Sequence, residues 1–197
     1  MQSPVDQAYP AADDPPGTEG IWTFVFIDMI VFSLIFFVFL SEKWRLPAVF
    51  EAGQAHLNFM FGLANTLILL TSSLFMAEAV HAARAGNGQA VRTRLLFCMV
   101  SGAAFCVNKV LEYQAKISVG INAATNSFYS FYFFVTGAHF LHVIGGLIFV
   151  SHCFVRARSE AGDPAYVRKL ENTGLFWHFV DLLWLFIFPL FYLARLV

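Results

Sequence analysis

The chain has 197 residues, of which 58% are hydrophobic and 13% charged, with a formal net charge of -1. A soluble domain carries about 25% charged residues, so this composition cannot clothe a water-facing surface and excludes a cytosolic enzyme, a nucleic-acid binder and a disordered chain. Three Cys give neither a disulfide framework nor a CxxC pair for zinc or redox work.

Residues 1–20 form a polar tail with Pro4, Pro10, Pro15 and Pro16 and the acids Asp6, Asp13, Asp14 and Glu19. No Lys or Arg precedes the first apolar run, so the pattern reads as a flexible tail before an uncleaved helix rather than a signal peptide. Apolar runs follow at 21–40, 57–80, 93–116, 127–155 and 174–195. Each is long enough for the ~20 residues that cross the hydrocarbon as a helix. The connectors carry breakers: Pro47 and Gly53, then Gly86-Asn87-Gly88, Gly120, and Gly162-Asp163-Pro164. The expected fold is all-α, one integral membrane domain over 21–197 built from five transmembrane helices.

Basic residues set the direction. Arg84, Arg92, Arg94, Arg156, Arg158, Arg168 and Lys169 flank the second and fourth loops, against Lys43, Arg45, Lys116 and Arg195 on the other side. The positive-inside rule then predicts a cytoplasmic N-terminus and a periplasmic C-terminus, in a bacterial inner membrane.

Ionisable groups inside lipid are costly and need a partner or a task. Counting depth from the cytoplasmic ends at 1.5 Å per residue puts Asp28 and Asp181 roughly 10 Å down, with His178, His152 and Glu78 about 3–6 Å down. The same count puts Lys109, His139 and His142 about 20–26 Å down and Glu112 about 30 Å down. Two polar layers are predicted: an inner one of Asp28, Glu78, His152, His178 and Asp181, and an outer one of Lys109, Glu112, His139 and His142. His178 and Asp181, Lys109 and Glu112, and His139 and His142 are i,i+3 pairs that share a helix face. Each pair reads first as a satisfied buried group that fixes helix register. Asp181 is placed early in its helix, where the dipole favours an anion. Asp28 has no partner on its own helix, which makes it the candidate for a task.

The depth mismatch argues against a bis-histidine haem on His142 and His178, and His139 with His142 would need metal ligands from other helices. No haem, metal or catalytic residue is expected in this chain. Small residues line up at Ala138, His142 and Gly146, at Gly137, Leu141 and Gly145, and at Gly102 and Cys106, which lets helices approach closely. Trp177, Trp184 and Pro189 shape the last helix, and Tyr192 and Arg195 suit an interfacial anchor.

The stretch Thr136-Gly137-Ala138-His139-Phe140-Leu141-His142-Val143-Ile144-Gly145-Gly146 resembles the GxHxxHVxxG segment of subunit III of the haem–copper oxidases. Phe176-Trp177-His178-Phe179-Val180-Asp181-Leu182-Leu183-Trp184 resembles that family's WHFVDxxW segment, and Glu112-Tyr113 its glutamate-tyrosine pair. The motif positions are Gly137, His139, His142, Gly145, Trp177, His178, Asp181 and Trp184. The chain is similar to the last five helices of the seven-helix members, a form found in quinol oxidases, some bacterial cytochrome c oxidases and nitric-oxide-reductase-associated proteins. Asn65 through Ser73 resembles the last of these, the NorE-type branch; many oxidase members carry a glutamate in the place of Asn65.

The resemblance implies a subunit without haem or copper of its own, which binds phospholipid between its helices. It would sit beside a catalytic haem–copper subunit holding haem with copper or iron, and support assembly, stability and proton delivery in respiration or denitrification. By position Asp28 corresponds to the family's membrane-embedded carboxylate, a possible proton antenna, though aspartate reaches one methylene less far than glutamate. Glu78, Lys109, Glu112, His139, His142, His152, His178 and Asp181 would form the buried polar network. The alternative from another class is a free-standing small proton or ion transporter, against which the lack of an internal repeat argues.

Overall fold

The computed structural model describes residues 16–193; the tail before Pro16 and the proposed anchor Arg195 lie outside them. Helix α1 spans Glu19–Arg45 and is followed by a short α2 at Pro47–Ala55. Then come α3 (Phe59–Arg84), α4 (Gly88–Ile117), α5 (Ser127–Glu160) and α6 (Pro164–Phe188), the last running into a π-helical turn, Pro189–Leu193. All the described residues in regular structure are helical, and five helices are long and apolar enough to cross a membrane, as expected.

The helix starts are written in local chemistry. Asn58, Asn87, Asn126 and Asp163 each turn a side-chain oxygen back onto a backbone N–H of the first turn, satisfying donors that no intrahelical carbonyl can reach. Pro47 and Pro164 occupy the first turn, where a missing N–H costs nothing. Between the helices, Gly86 and Gly162 take φ of +69° and +91°. The two turns touch, because a Cβ on Gly162 would lie 3.2 Å from the Gly86 Cα. Pro189 cannot donate to the carbonyl one turn back, and the helix loosens into the π turn there.

Helices α3, α4, α5 and α6 pack as an antiparallel ring of four, each against its chain neighbour, with α6 closing back on α3. Helix α1 lies outside this ring against α6 and α5. In its most apolar stretch α1 is 11% buried, against 61% for α6. Three points fasten it. Thr18 N donates to Asn172 Oδ1 at 2.9 Å, Asp28 meets His142, and Phe39, fully buried, packs on Phe191, Phe50 and Phe131. Helix α2 acts as a clasp at that end: Gln54 Nε2 donates to the Leu190 carbonyl of the π turn, and Gly53 accepts the Phe128 ring where a Cβ would collide.

The helices extend past the apolar runs. The last begins at Pro164, ten residues before the expected 174, so Asp181 lies in the middle of α6 and not in a first turn. The N-terminal dipole therefore does not account for it. Residue 19, the start of α1, is level with Asn172 and so sits eight residues, about 12 Å, along α6 from its beginning. Counted from the apolar-run starts, 21 and 174, the two helices are nearly level, so Asp28 and Asp181 lie at similar depth.

Candidate functional site

The middle of the bundle is organised by two tryptophans of α6. The Trp177 ring fills a gap made by Gly102 of α4 and Gly146 of α5, where an added Cβ would stand 2.8 Å and 2.7 Å from the ring. Its Nε1 donates to Ser72 Oγ of α3 at 3.0 Å, so one side chain touches each of the three other helices of the ring. Two turns further along α6, Trp184 Nε1 donates to Thr66 Oγ1 at 3.0 Å while its ring meets Phe105 and His139. Of the small residues singled out in the sequence, Gly102 and Gly146 are required by this packing. Gly145 faces open space and Gly137 has its nearest neighbour at 3.9 Å.

Lys109 and Glu112 are brought together as expected, at 2.9 Å and both buried. The remaining two ammonium hydrogens go to Tyr132 Oη at 3.2 Å and Tyr192 Oη at 3.1 Å, and Tyr192 donates to Glu112 Oε1 at 2.7 Å. All three donors of Lys109 are used, which is what a cation in a dry interior requires. The rings of Tyr113, Tyr132, Trp184 and Tyr192 surround Nζ at 4.7–5.7 Å, adding cation–π attraction. Tyr192 comes from the π turn, so its predicted part as an interfacial anchor is replaced by a place in the core.

Asp28 departs from the expected layers. It does not join the inner group; its Oδ2 lies 3.2 Å from His142 Nε2, a residue assigned to the outer layer. The level of His142 is the physical reason: Gly146 faces Trp177 and His139 faces Trp184, so His142 lies between them, level with the middle of α1, and not where a count from residue 155 puts it. The two groups are within ion-pair range without being aligned as a hydrogen bond. His142 Nδ1 is 2.8 Å from the Ala138 carbonyl, which can only accept, so Nδ1 carries a hydrogen. Nε2 then confronts the carboxyl, and one further proton, on either group, makes the approach favourable. Phe32 meets this imidazole edge-on and Phe176 stacks on it. Beside it, an apolar groove of about 400 Å³ opens between Ile21 and Phe24 of α1 and Leu141, Gly145 and Phe149 of α5.

The other predicted members scatter. Glu78 pairs with Arg94 at 2.8 Å, and His152 Nε2 meets the Lys169 ammonium. His139 is fully buried between Phe105 and Trp184, with no hydrogen-bond partner for either ring nitrogen among the described residues. His178 turns to Ser73 of α3, its Nδ1 2.6 Å from the hydroxyl, and therefore faces away from His142 and Asp28. Asp181 is buried on the same side.

Three partners escaped the sequence reading. Arg84 places Nε and Nη2 on Glu171 Oε1 at 3.0 and 2.7 Å, tying α3 to α6. Asn108 Nδ2 donates to Asn65 Oδ1 at 2.7 Å, so the amide at position 65 has a matching amide on α4. Ser73 stood inside a quoted motif with no role given to it. An i,i+3 rule finds partners on one helix, and these partners lie across helices.

Residues 17–195 match the protein family described as cytochrome c oxidase subunit III. The chain is 28% identical over 178 residues to quinol oxidase subunit 3 of Bacillus subtilis, covering 90% of this chain and 86% of that one. It is 26% identical over 182 residues to a probable cytochrome c oxidase subunit 3 of Mycobacterium tuberculosis, covering 91% and 90%. Against cytochrome c oxidase subunit 3 of Mycosarcoma maydis the identity is 32% over 177 residues, covering 87% of this chain and 63% of that one. Trp177 and Trp184 of the motif lock α6 to α3, α4 and α5, and the match runs the length of the bundle: the chain belongs to the cytochrome c oxidase subunit III family.

Proposed function

We propose that this chain is a non-catalytic subunit of a respiratory complex, seated beside a catalytic haem–copper subunit in a bacterial cytoplasmic membrane with its basic loops inside. It holds no haem or metal itself; haem with copper or iron belongs to the partner. The observation that carries the reading is what the two motif tryptophans and the buried residues packed around them do here. Trp177, Trp184, Gly102, Gly146 and the Lys109–Glu112 pair are spent on packing and mutual neutralisation inside the bundle. That is the chemistry of a scaffold, which supports roles in assembly and in the stability of the partner during turnover.

The partner is a terminal oxidase or a nitric oxide reductase. The segment 65–73 favours the second, the denitrifying branch, while the named relatives are oxidase subunits. Asp28 with His142, at the edge of an apolar groove, supplies the proton-holding element, and the groove is where an acyl chain of phospholipid would lie.

Purification of the tagged chain from its own membranes in mild detergent tests the whole reading. A haem-bearing polypeptide should accompany it in fixed proportion, and its spectrum distinguishes an oxidase from a reductase. Recovery of the chain alone, together with proton flux into liposomes containing nothing else, would establish the transporter reading instead.

A further inference from the structure

A second acid–base cluster lies on the opposite side of α6 from Asp28. Asp181 is 4% exposed and has no ion-pair partner among the described residues. Neither carboxyl oxygen has a well-aligned hydrogen bond, and the side-chain donor that faces it is the Ser73 hydroxyl of α3. That same hydroxyl is 2.6 Å from His178 Nδ1. His178 is half-buried and its Nε2 makes no hydrogen bond among the described residues, yet it is not among the sealed-off atoms, so the outer edge of the ring reaches the surface. Leu74 and Leu182, neighbours of Ser73 and His178 along their helices, are exposed there.

We propose that Ser73 couples Asp181 to His178 as a proton relay running from the centre of the bundle to the outer face between α3 and α6. A serine hydroxyl has one hydrogen to give and two lone pairs to receive. With Asp181 protonated, its O–H donates to Ser73 Oγ, and the Ser73 hydrogen donates to Nδ1 of an imidazole that is protonated on Nε2. In the transfer the Asp181 O–H bond breaks as a new Ser73 O–H forms, and the old Ser73 O–H breaks as Nδ1–H forms. The imidazolium then passes its Nε2 proton to a base outside the chain, a water molecule or a carboxylate of whatever packs on that face. Asp181 is left as a carboxylate accepting from Ser73, and the neutral imidazole donates from Nδ1 to Ser73 Oγ. One proton has crossed from the buried carboxyl through the half-buried ring to that base, the sole co-reactant.

The surroundings isolate the pair. From α4 the titratable group facing Asp181 is the Cys98 thiol, which is engaged with Ser72. From α5, His139 sits against Phe105 and Trp184, with His142 and Lys109 as its charged neighbours. Helix α1 offers Asp28, which is held by His142. The relay is therefore separate from the Asp28 site and does not depend on which complex the chain joins.

The purified chain in lipid nanodiscs, followed by infrared spectroscopy of the carboxyl band and NMR of labelled histidine through a pH titration, tests this. The wild type should show the Asp181 carboxyl and the His178 ring responding in one joint step. Ser73→Ala should split it into two independent responses, with slower deuterium exchange of the carboxyl proton. Ser73→Thr, which keeps the hydroxyl, should preserve the joint step. Independent responses in the wild type, or a Ser73→Ala titration superimposable on it, overturn the relay. Asp181→Asn assigns the band by its loss; if that variant does not insert, isotope-labelled aspartate in the alanine and threonine variants gives the same assignment.

Discussion

The ring of α3 to α6 and the outlying α1 solve the membrane problem differently. Inside the ring the buried Lys109–Glu112 pair is neutralised and its ammonium saturated: Lys109 spends its three hydrogens on Glu112, Tyr132 and Tyr192. On α1 the single intramembrane carboxylate has one partner, on another helix, at 3.2 Å and with 17% of its side chain still exposed. A saturated network fixes structure, because any single loss leaves a buried charge behind. A loosely matched, partly exposed pair at the edge of a groove leaves no sealed-off charge behind when one partner is lost. The contrast separates a saturated core from a loosely held flank within one short chain.

The largest effect is expected where the ring is most fully committed. Lys109→Met leaves Glu112 as an uncompensated buried carboxylate and strips a donor from Tyr132 and Tyr192, a loss of about 3–5 kcal/mol. Thermal unfolding of the purified variant in detergent should show it directly. The double variant Lys109→Met with Glu112→Gln removes both charges and should recover much of the loss. A double variant as unstable as the single one would show that the pair is held for something other than mutual neutralisation.

The next effect tests the tryptophan wedge. Gly146→Leu drives a side chain into the Trp177 ring, which Gly102 prevents from retreating. Overpacking of this kind costs about 1–3 kcal/mol. Gly145→Leu, one residue away, enters open space and should leave unfolding unchanged or slightly improved. The matched pair isolates packing from helix propensity. Equal behaviour of the two variants would break the claim that α5 and α6 meet through that gap.

How much of this could be read from the chain follows the same division. Helix identity and number were legible, since length and hydropathy alone decide whether a segment can span lipid. The i,i+3 pair Lys109 and Glu112 was legible because one helix contains both members. The tryptophan motif gave the family, and the glycine stripes pointed to close packing at Gly102 and Gly146. Relative helix shifts were not legible. In a soluble bundle a polar face and an apolar face would indicate how each helix is turned. Here lipid-facing and core-facing sides are both apolar: Phe37 is 68% exposed and Phe39 fully buried on the same helix. The vertical position of α1 is set by Thr18 on Asn172 and by Phe39 among Phe50, Phe131 and Phe191, contacts that no spacing rule predicts. The depth of His142 was not legible either: a count from residue 155 sets it in an outer layer, while the contacts of Gly146 with Trp177 and of His139 with Trp184 bring it level with Asp28. Helix α2 also escaped notice, being too short to span and hidden among loop signals.

The smallest structural effect, and the sharpest functional one, is expected at Asp28. His142 keeps its Nδ1 hydrogen on Ala138, so its Nε2 needs a donor when the ring is neutral. Asp28→Asn provides one: the amide N–H can donate to Nε2, and no charge is buried. The fold should change by less than about 1 kcal/mol, the range of a partly exposed ion pair. Asp28→Leu offers neither donor nor acceptor and should be the more damaging of the two, loosening α1 at its midpoint. The amide cannot gain or lose a proton in this pH range, however, so any proton-holding task disappears while the geometry stays. Turnover of the intact complex should then fall in Asp28→Asn with the chain still assembled in normal amount. If turnover is unchanged in Asp28→Asn but assembly is lost in Asp28→Leu, the pair is a strut for α1. The difference between the two regions would then be one of strength alone.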